Sequence, residues 1–226
     1  MHQRKSKKFL VYFFLLITIS SINNPTLKNL DFQKVKDIQV LGLSETENKL
    51  ILDQIENLNL KNIFFINKKE ISNLIESNSL IETYKIFKNY PSNIRVIIKQ
   101  TKYLAKINYE NDIFIVGSNG KLIDNSFYKT KLPFIFGKPE VHEFLKFKKI
   151  IDQSKFPYDQ IESFYFFPSK RWDIKLKNGV LLKLSNNSTK VSLDYAYNFL
   201  KNNNVGKFSI IDIRLRNQII FNESKF

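Results

Sequence analysis

The side chains that most often perform covalent or metal chemistry are scarce in this chain. It has no cysteine, and its two histidines are His2 and His142. A chain without cysteine has neither a thiolate nucleophile nor a disulfide, and neither histidine has a neighbour at metal-ligand spacing. No serine stands in a G-x-S-x-G motif, and neither a G-x-G-x-x-G nor a Walker A loop occurs. The sequence therefore predicts a non-enzymatic protein without a cofactor, a bound metal or a small-molecule substrate.

Acidic residues are the remaining candidates for chemistry. Asp212 and Arg214 are two positions apart in an alternating segment, so both lie on one face of a strand, and we expect a structural ion pair. Asp152 and Asp159 would be candidates for paired acid–base catalysis, but nothing in the pattern places them together. We expect both of them in loops.

The net charge of +15 suggests a nucleic-acid hypothesis. Five of the 36 basic residues are arginines, however, and the lysines are scattered along the chain rather than concentrated on one element. A lysine-rich solvated surface explains this pattern better, and contact with anionic lipid headgroups is a lesser alternative. We therefore expect no nucleic-acid partner.

The amino-terminal segment combines basic residues with an apolar run. We predict a cytoplasmic tail over residues 1–8, a transmembrane anchor over residues 9–22 and a linker over residues 23–34. As a helix the apolar run is roughly 21 Å long, less than the roughly 30 Å of a hydrocarbon core, so a cleavable signal peptide is an alternative. The best cleavage site pairs Thr18 with Ser20, and alanine is absent before Ala105. The retained anchor is the favoured alternative.

Residues 35–102 follow the order β-α-α-β-β. An alternating strand over Val35–Leu41 is followed by Ser44 and Glu47, which form a capping box at the start of a helix. Asn67 and Glu70 repeat this signal before a second helix. Two further strands follow, separated by a turn at residues 90–93. Two helices on one face of a three-stranded sheet make a complete core.

Residues 103–226 predict a mostly antiparallel β domain with two helices, so the fold class is α+β. Pro139 is expected in the first turn of one helix, and residues 189–200 form the other. Asn178-Gly179 is the strongest hairpin signal of the chain. The last predicted strand, Gln218–Phe221, ends within six residues of Phe226 and is therefore expected at a sheet edge.

This order of segments resembles the FtsQ family of bacterial cell-division proteins, called DivIB in Gram-positive bacteria, and its first module resembles a POTRA domain. The resemblance covers nearly the whole chain. It rests on four motifs, and members of the family usually have a similar sequence at each of them. The motifs are the strand that ends Val40-Leu41-Gly42, the segment Tyr90-Pro91-Ser92-Asn93, the turn Asn119-Gly120 and the closing strand Ile211-Asp212-Ile213-Arg214. We therefore expect structural roles for Gly42, Pro91, Ala105, Asp212 and Arg214.

The chain departs from the family at the junction of its two modules. The family often reads E-R-x-P-x-A there, whereas this chain has Gln100 where the glutamate would be and Tyr103 where the proline would be. Ala105 alone matches. A partner contact that depends on the glutamate is therefore not expected here.

The resemblance implies a bitopic scaffold at the division septum of the cell inner membrane, with its carboxyl-terminal domains in the periplasm. It implies coiled-coil partners similar to FtsB and FtsL, together with other membrane division proteins. The implied binding surface is the last strand: Asn217, Gln218, Ile219, Ile220 and Phe221. A strand that merely completes the sheet is the alternative for these residues, and a POTRA-bearing secretion or outer-membrane assembly component is the alternative for the whole chain.

Overall fold

The structure is a computed structural model that describes residues 7–22, 35–58, 60, 63, 66–125, 131–203, 208–215 and 218–223. Internal contacts divide the chain into two compact units. The first comprises Met1–Leu74 and Lys85–Ile97, and the second comprises Ile75–Tyr84 and Ile98–Phe226. The predicted linker at residues 23–34 lies outside the described residues.

The first helix, α1, spans Lys7–Ile22 and has 16 residues. It includes the segment for which the sequence predicts a membrane anchor. In the part of the chain that the structure describes, no helix has both the length and the apolar character needed to cross a membrane. The anchor therefore remains a proposal.

The β-α-α-β-β order predicted for the first module is confirmed. Its elements are β1 (Asp37–Leu41), α2 (Glu45–Glu56), α3 (Lys68–Ser77), β2 (Ile81–Asn89) and β3 (Asn93–Gln100). The three strands form a sheet in the order β1-β3-β2, in which β1 runs parallel to β3. The peptide bond between Tyr90 and Pro91, in the turn between β2 and β3, is cis.

Local side chains fix the starts of both helices of this module. The Ser44 hydroxyl accepts a hydrogen bond from the Glu47 amide at 3.4 Å, and the Glu47 carboxylate accepts one from the Ser44 amide at 3.2 Å. These reciprocal bonds are the predicted capping box, and they satisfy two amides that α2 leaves without helical partners. At α3, the Asn67 side chain accepts a hydrogen bond from the Lys69 amide at 3.0 Å.

The second unit contains a nine-stranded sheet and two helices. The strands are β4 (Tyr103–Tyr109), β5 (Asp112–Gly117), β6 (Leu122–Asp124), β7 (Phe134–Phe136), β8 (Ile161–Phe166), β9 (Trp172–Leu176), β10 (Leu181–Leu184), β11 (Phe208–Ile213) and β12 (Ile220–Glu223). The helices are α4 (Val141–Gln153) and α5 (Thr189–Asn202), and a 3₁₀ helix covers Tyr158–Gln160.

The strand order of this sheet is β12-β11-β10-β9-β8-β7-β4-β5-β6. Five of the eight pairings are antiparallel, as the sequence predicts, and three are parallel: β4 with β7, β7 with β8, and β10 with β11. Two of the parallel pairs are joined through α4 or α5, because a parallel partner requires a crossover connection.

Two predicted boundaries are displaced by two residues. Helix α4 begins at Val141, and the Glu143 carboxylate accepts a hydrogen bond from the amide of the capping residue Glu140 at 3.1 Å. Pro139 therefore precedes the helix instead of lying in its first turn. The last strand spans Ile220–Glu223, so Gln218 and Ile219 precede it.

One face of the large sheet forms the core with both helices. A row of directly paired apolar residues crosses six strands, and each member is at most 3% exposed: Ile107, Ile135, Phe164, Ile174, Leu182 and Ile211. Trp172 stacks on Phe147 of α4 with ring centroids 4.7 Å apart. The expectation that Trp172 lies in the core is confirmed.

A side-chain clamp joins the turn between β5 and β6 to the connection between α3 and β2. The Asn119 amide donates hydrogen bonds to the carbonyl oxygens of Ser79 and Ile81, both at 2.9 Å. The Lys121 ammonium donates to the Asn78 carbonyl at 3.1 Å. These bonds explain why residues 75–84 belong to the second unit, although the sequence assigns them to the first module.

Candidate partner-binding site at the last strand

The last strand, β12, occupies one end of the nine-stranded sheet. It pairs with β11 in antiparallel fashion, with Ile220 opposite Asp212 and Phe221 opposite Ile211. A strand at the end of a sheet directs alternate backbone amides and carbonyls away from its neighbour, where they are available to a strand from another chain. Four of the five residues implied to bind a partner are described here, and Asn217 lies outside the described residues.

Apolar side chains accompany this backbone edge. Ile220 is 55% exposed and Phe221 is 45% exposed. The Phe221 ring lies 5.7 Å from the ring of Phe199 on α5, measured between centroids, whereas Ile219 packs against the core of the unit. The two exposed side chains point to opposite faces of the strand, because successive residues alternate. A partner strand at this edge would therefore find apolar surface on both faces.

A row of charges crosses the sheet next to this edge. Asp173 on β9, Lys183 on β10 and Asp212 on β11 are directly paired neighbours on the face opposite the helices. Arg171 donates a hydrogen bond to Asp173 at 3.1 Å, and Arg214 donates to Asp212 at 2.6 Å. The row thus alternates acid and base and ends at Ile220, which is the next residue across the sheet.

The pKa values of the two carboxylates of the row shift in opposite directions. Burial raises the pKa of Asp173, and hydrogen bonds from Arg171 only partly offset this. Partial burial would also raise the pKa of Asp212, but hydrogen bonds and the charge of Arg214 outweigh it and hold that pKa below its ordinary value. Asp212 and Arg214 therefore form a firm ion pair beside the edge.

The remaining residues singled out by sequence belong to other elements. Gly42 follows β1 with a φ of 118°, a left-handed conformation that favours glycine. Ala105 on β4 is fully buried, at 0% exposure. Gln100 donates a hydrogen bond to the hydroxyl of Tyr103 at 2.9 Å, so the two residues that depart from the family motif contact each other.

Sequence reasoning missed three residues of this region: Asp173, Lys183 and Phe199. Asp173 and Lys183 occupy alternate positions in their strands, and that alternation indicated only that they face away from the core. The alignment of Asp173, Lys183 and Asp212 in one row depends on the register of β9, β10 and β11, and the parallel register of β10 with β11 is set by a crossover through α5.

Among the described residues, the structure does not bring together the side chains that the sequence offered as candidates for catalysis. His142 lies 3.5 Å from the Glu140 carboxylate, and both side chains are well exposed. Asp152 pairs with Lys148 on the same helix, α4, and not with Asp159. The expectation that Asp152 lies in a loop is wrong, because α4 extends to Gln153. In the described ranges, no group of three or more histidine, aspartate or glutamate side chains is arranged to hold a metal ion.

Comparison with known families assigns both parts of the chain. The model of the FtsQ-type POTRA domain matches residues 33–100. The model of the carboxyl-terminal region of cell division protein FtsQ/DivIB matches residues 105–214. Together the two matches cover most of the chain and end shortly before β12.

Individual relatives agree with this assignment. Cell division protein DivIB of Clostridium botulinum strain Hall is 29% identical over 54% of this chain and 46% of its own length. Cell division protein FtsQ of Rhizobium meliloti is 26% identical over 66% of this chain and 49% of its own length. The chain thus matches about half of the length of these relatives.

Two further matches add nothing to the assignment. Probable polyketide synthase 39 of Dictyostelium discoideum is 26% identical over 80% of this chain but over 6% of its own length. The solved extracytoplasmic domain of DivIB from Geobacillus stearothermophilus aligns with a TM-score of 0.34 at 14% identity, over 46% of this chain and 97% of that domain. The two family matches, supported by the DivIB and FtsQ relatives, show that the chain belongs to the FtsQ/DivIB family of cell-division proteins.

Proposed function

We propose that this protein is a non-enzymatic scaffold of the bacterial division machinery. It links early and late division proteins at the septum and binds partners similar to FtsB and FtsL. The observation that carries the proposal is β12, a strand at the end of the sheet with two exposed apolar side chains in a chain of the FtsQ/DivIB family. Binding occurs by addition of a partner strand to this edge.

The proposal includes anchoring through α1 in the cytoplasmic membrane. Four basic residues precede or begin the apolar segment: Arg4, Lys5, Lys7 and Lys8. Basic residues of this kind remain on the cytoplasmic side of a membrane, so the part of the chain that follows α1 lies on the periplasmic side. The helix of 16 residues is shorter than a typical span, and lysine side chains that extend towards the headgroups would accommodate the difference.

Proline substitutions test the partner strand. Successive amides of β12 point alternately towards β11 and away from it, so one of Ile220 and Phe221 directs its amide outwards. Proline at that position removes a donor needed by the partner and leaves the pairing with β11 intact. We expect one of Ile220→Pro and Phe221→Pro to fold normally and to lose co-purification of the FtsB-like protein from membranes.

Matched threonine variants serve as controls. Ile220→Thr and Phe221→Thr retain the backbone donor and a residue type common in strands, so each should retain more binding than its proline counterpart. Unchanged co-purification with both proline variants, each folded as judged by tryptophan fluorescence, would exclude strand addition at β12. Depletion of the protein is expected to give filamentous cells, and normal division after depletion would contradict the scaffold role itself.

A further inference from the structure

A groove in the second unit lies apart from the last strand. It has a volume of about 620 Å³ and lies beside α4, the connection between β3 and β4, and the turn that follows β5. Its charged lining residues are Glu82, Lys99, Lys102, Lys148, Lys149 and Asp152. Four lysines therefore face two carboxylates, which leaves an excess of positive charge in one concave surface.

Both carboxylates of the groove already have donors from within the unit. Glu82 accepts hydrogen bonds from the hydroxyls of Thr101 at 3.0 Å and Ser118 at 2.6 Å. Asp152 pairs with Lys148, whose ammonium also lies 4.3 Å from the centroid of the Tyr158 ring. Asp152 is therefore balanced by Lys148, whereas Glu82 keeps its negative charge, so four ammonium groups against two carboxylates leave the groove with a net charge of +2.

The other three lysines are Lys99, Lys102 and Lys149, and all are exposed. Among the described residues, none of their ammonium groups has a carboxylate within 4.0 Å, whereas Lys170, Lys175 and Lys190 elsewhere in the unit each have one. Like charges collected in a concave surface focus the electrostatic potential and attract anions. The groove is therefore complementary to a ligand with several negative charges.

We propose that this groove binds an acidic peptide segment of a partner protein. Its volume falls in the range of about 300–1,000 Å³ that holds multi-atom ligands, so a single phosphate ion would leave most of it to water. The lining also includes Leu104, Leu145 and Gln100, which suit the apolar groups and the backbone of a peptide. Lysine ammonium groups bind carboxylates as point charges without a fixed orientation, as the side chains of an acidic segment require.

The test uses the full chain in a neutral detergent. The probe is a fluorescein-labelled decapeptide in which glutamates are interspersed with leucine and serine, and its binding is followed by fluorescence anisotropy. The triple variant Lys99→Glu, Lys102→Glu, Lys149→Glu should bind the probe at least about tenfold more weakly than the native protein, with the native affinity falling as salt is raised.

The matched control changes the same number of exposed lysines that do not line the groove or its helix: Lys131→Glu, Lys177→Glu, Lys201→Glu. It has the same net charge as the groove variant, and we expect its affinity to stay within about twofold of the native value. Equal losses in the two triple variants would overturn the proposal, because they would show non-specific attraction by the charge of the whole protein. Absence of probe binding by the native protein would overturn it as well.

Two further arms exclude other anions. A decapeptide with glutamine in place of glutamate should not bind, and inorganic phosphate at low millimolar concentration should not displace the acidic probe. Displacement by phosphate would assign the groove to small anions. Loss of binding to phosphatidylserine vesicles in the groove variant, without loss of peptide binding, would assign the lysines to lipid headgroups. Either result would overturn a peptide ligand.

Discussion

Asp173 and Asp212 lie two strands apart on the same face of the sheet, with Lys183 between them, yet their pKa values move in opposite directions. Asp173 is almost fully buried, at 2% exposure, and loses hydration that Arg171 does not fully replace. Asp212 keeps more contact with water and receives hydrogen bonds from both the side chain and the backbone of Arg214. The balance of burial against hydrogen bonding decides the direction in each case.

The lowered pKa of Asp212 predicts a dependence of stability on pH. The unfolded chain binds a proton at this group more readily than the folded protein, so its stabilising contribution is present above the ordinary pKa of 3.8 and is lost as the pH falls through the folded value. We expect Asp212→Asn to unfold at lower urea concentration than the native protein at pH 7. The difference between the two midpoints should shrink below pH 3.8. A difference that is constant with pH would contradict the ion-pair explanation.

The pKa of Asp173 is shifted in the opposite direction, so its contribution to stability depends on pH with the opposite sign. Its raised pKa means that the folded protein holds the proton more tightly, so the contribution of this group is fully present below pH 3.8 and is lost as the pH rises through the folded value. We therefore expect Asp173→Asn to lose less stability than the native protein as the pH rises above 3.8, when the free energy of unfolding is measured with urea at successive pH values. If the free energy of unfolding depends on pH in the same way in both proteins, Asp173 is not the source of this pH dependence.

The Asn119 clamp predicts a destabilisation at a single side chain. Alanine at this position removes the hydrogen bond accepted from the Lys121 amide and the two donated to the carbonyl oxygens of Ser79 and Ile81. We expect a loss of about 2 kcal/mol in the free energy of unfolding measured with urea. Asn186→Ala is a suitable control, because Asn186 is exposed and its side chain contributes one long hydrogen bond of 3.4 Å. Equal effects of the two substitutions would contradict a specific clamp.

At the scale of elements, features set by neighbouring residues were predictable from the sequence, whereas the pairing of strands distant in sequence was not. The capping box at Ser44 and the hairpin at Asn178-Gly179 each depend on residues within four positions, and both are present. The parallel pairing of β10 with β11 joins residues on either side of α5, and no local pattern encodes it. The displacement of β12 by two residues has the same origin, because its register is set by β11 rather than by its own sequence.

Two turn glycines with similar backbone conformations predict different costs on substitution. Gly179 has a φ of 89° and Gly137 has a φ of 97°. A methyl group at Gly179 would have no atom within 4 Å, whereas at Gly137 it would collide with the carbonyl oxygen of Phe166. We expect Gly179→Ala to cost about 1 kcal/mol through backbone strain alone.

Gly137→Ala adds a clash with backbone that does not yield easily, so we expect an additional loss of about 1–3 kcal/mol. Urea unfolding of the two variants side by side separates strain from close approach. Similar losses in both would show that the backbone around Phe166 adjusts to the added methyl group.

At the scale of the whole molecule, the sequence order of the modules was more predictable than the division of contacts between them. The family resemblance and the alternation of elements pointed to an α+β chain with a POTRA-like module followed by a β domain, and the structure and family matches agree. The grouping of residues 75–84 with the second unit was not predictable. It depends on side chains of the turn near Asn119, which read as ordinary turn residues.

A charge in the middle of α1 tests the proposed anchor. Leu15→Arg is expected to disfavour membrane insertion by about 2.5–3.5 kcal/mol, since this residue lies near the centre of the helix. The native protein should remain with the membrane pellet after alkaline carbonate extraction, and the variant should shift to the supernatant. Leu15→Ala is the control, because it shortens the side chain without adding charge. A native protein that is itself extracted would contradict the anchor.

The clamp at Asn119 also has a consequence for the order in which the protein matures. The carbonyl oxygens of Ser79 and Ile81 leave the ribosome 40 and 38 residues before the amide that binds them. Their hydrogen bonds cannot form until the turn after β5 has also been synthesised, and closing a contact over such a separation slows folding relative to a local contact. A nascent chain arrested before residue 119 therefore exposes the start of β2 without its final partners. Limited proteolysis of arrested chains should cut near Ser79 until Asn119 has emerged.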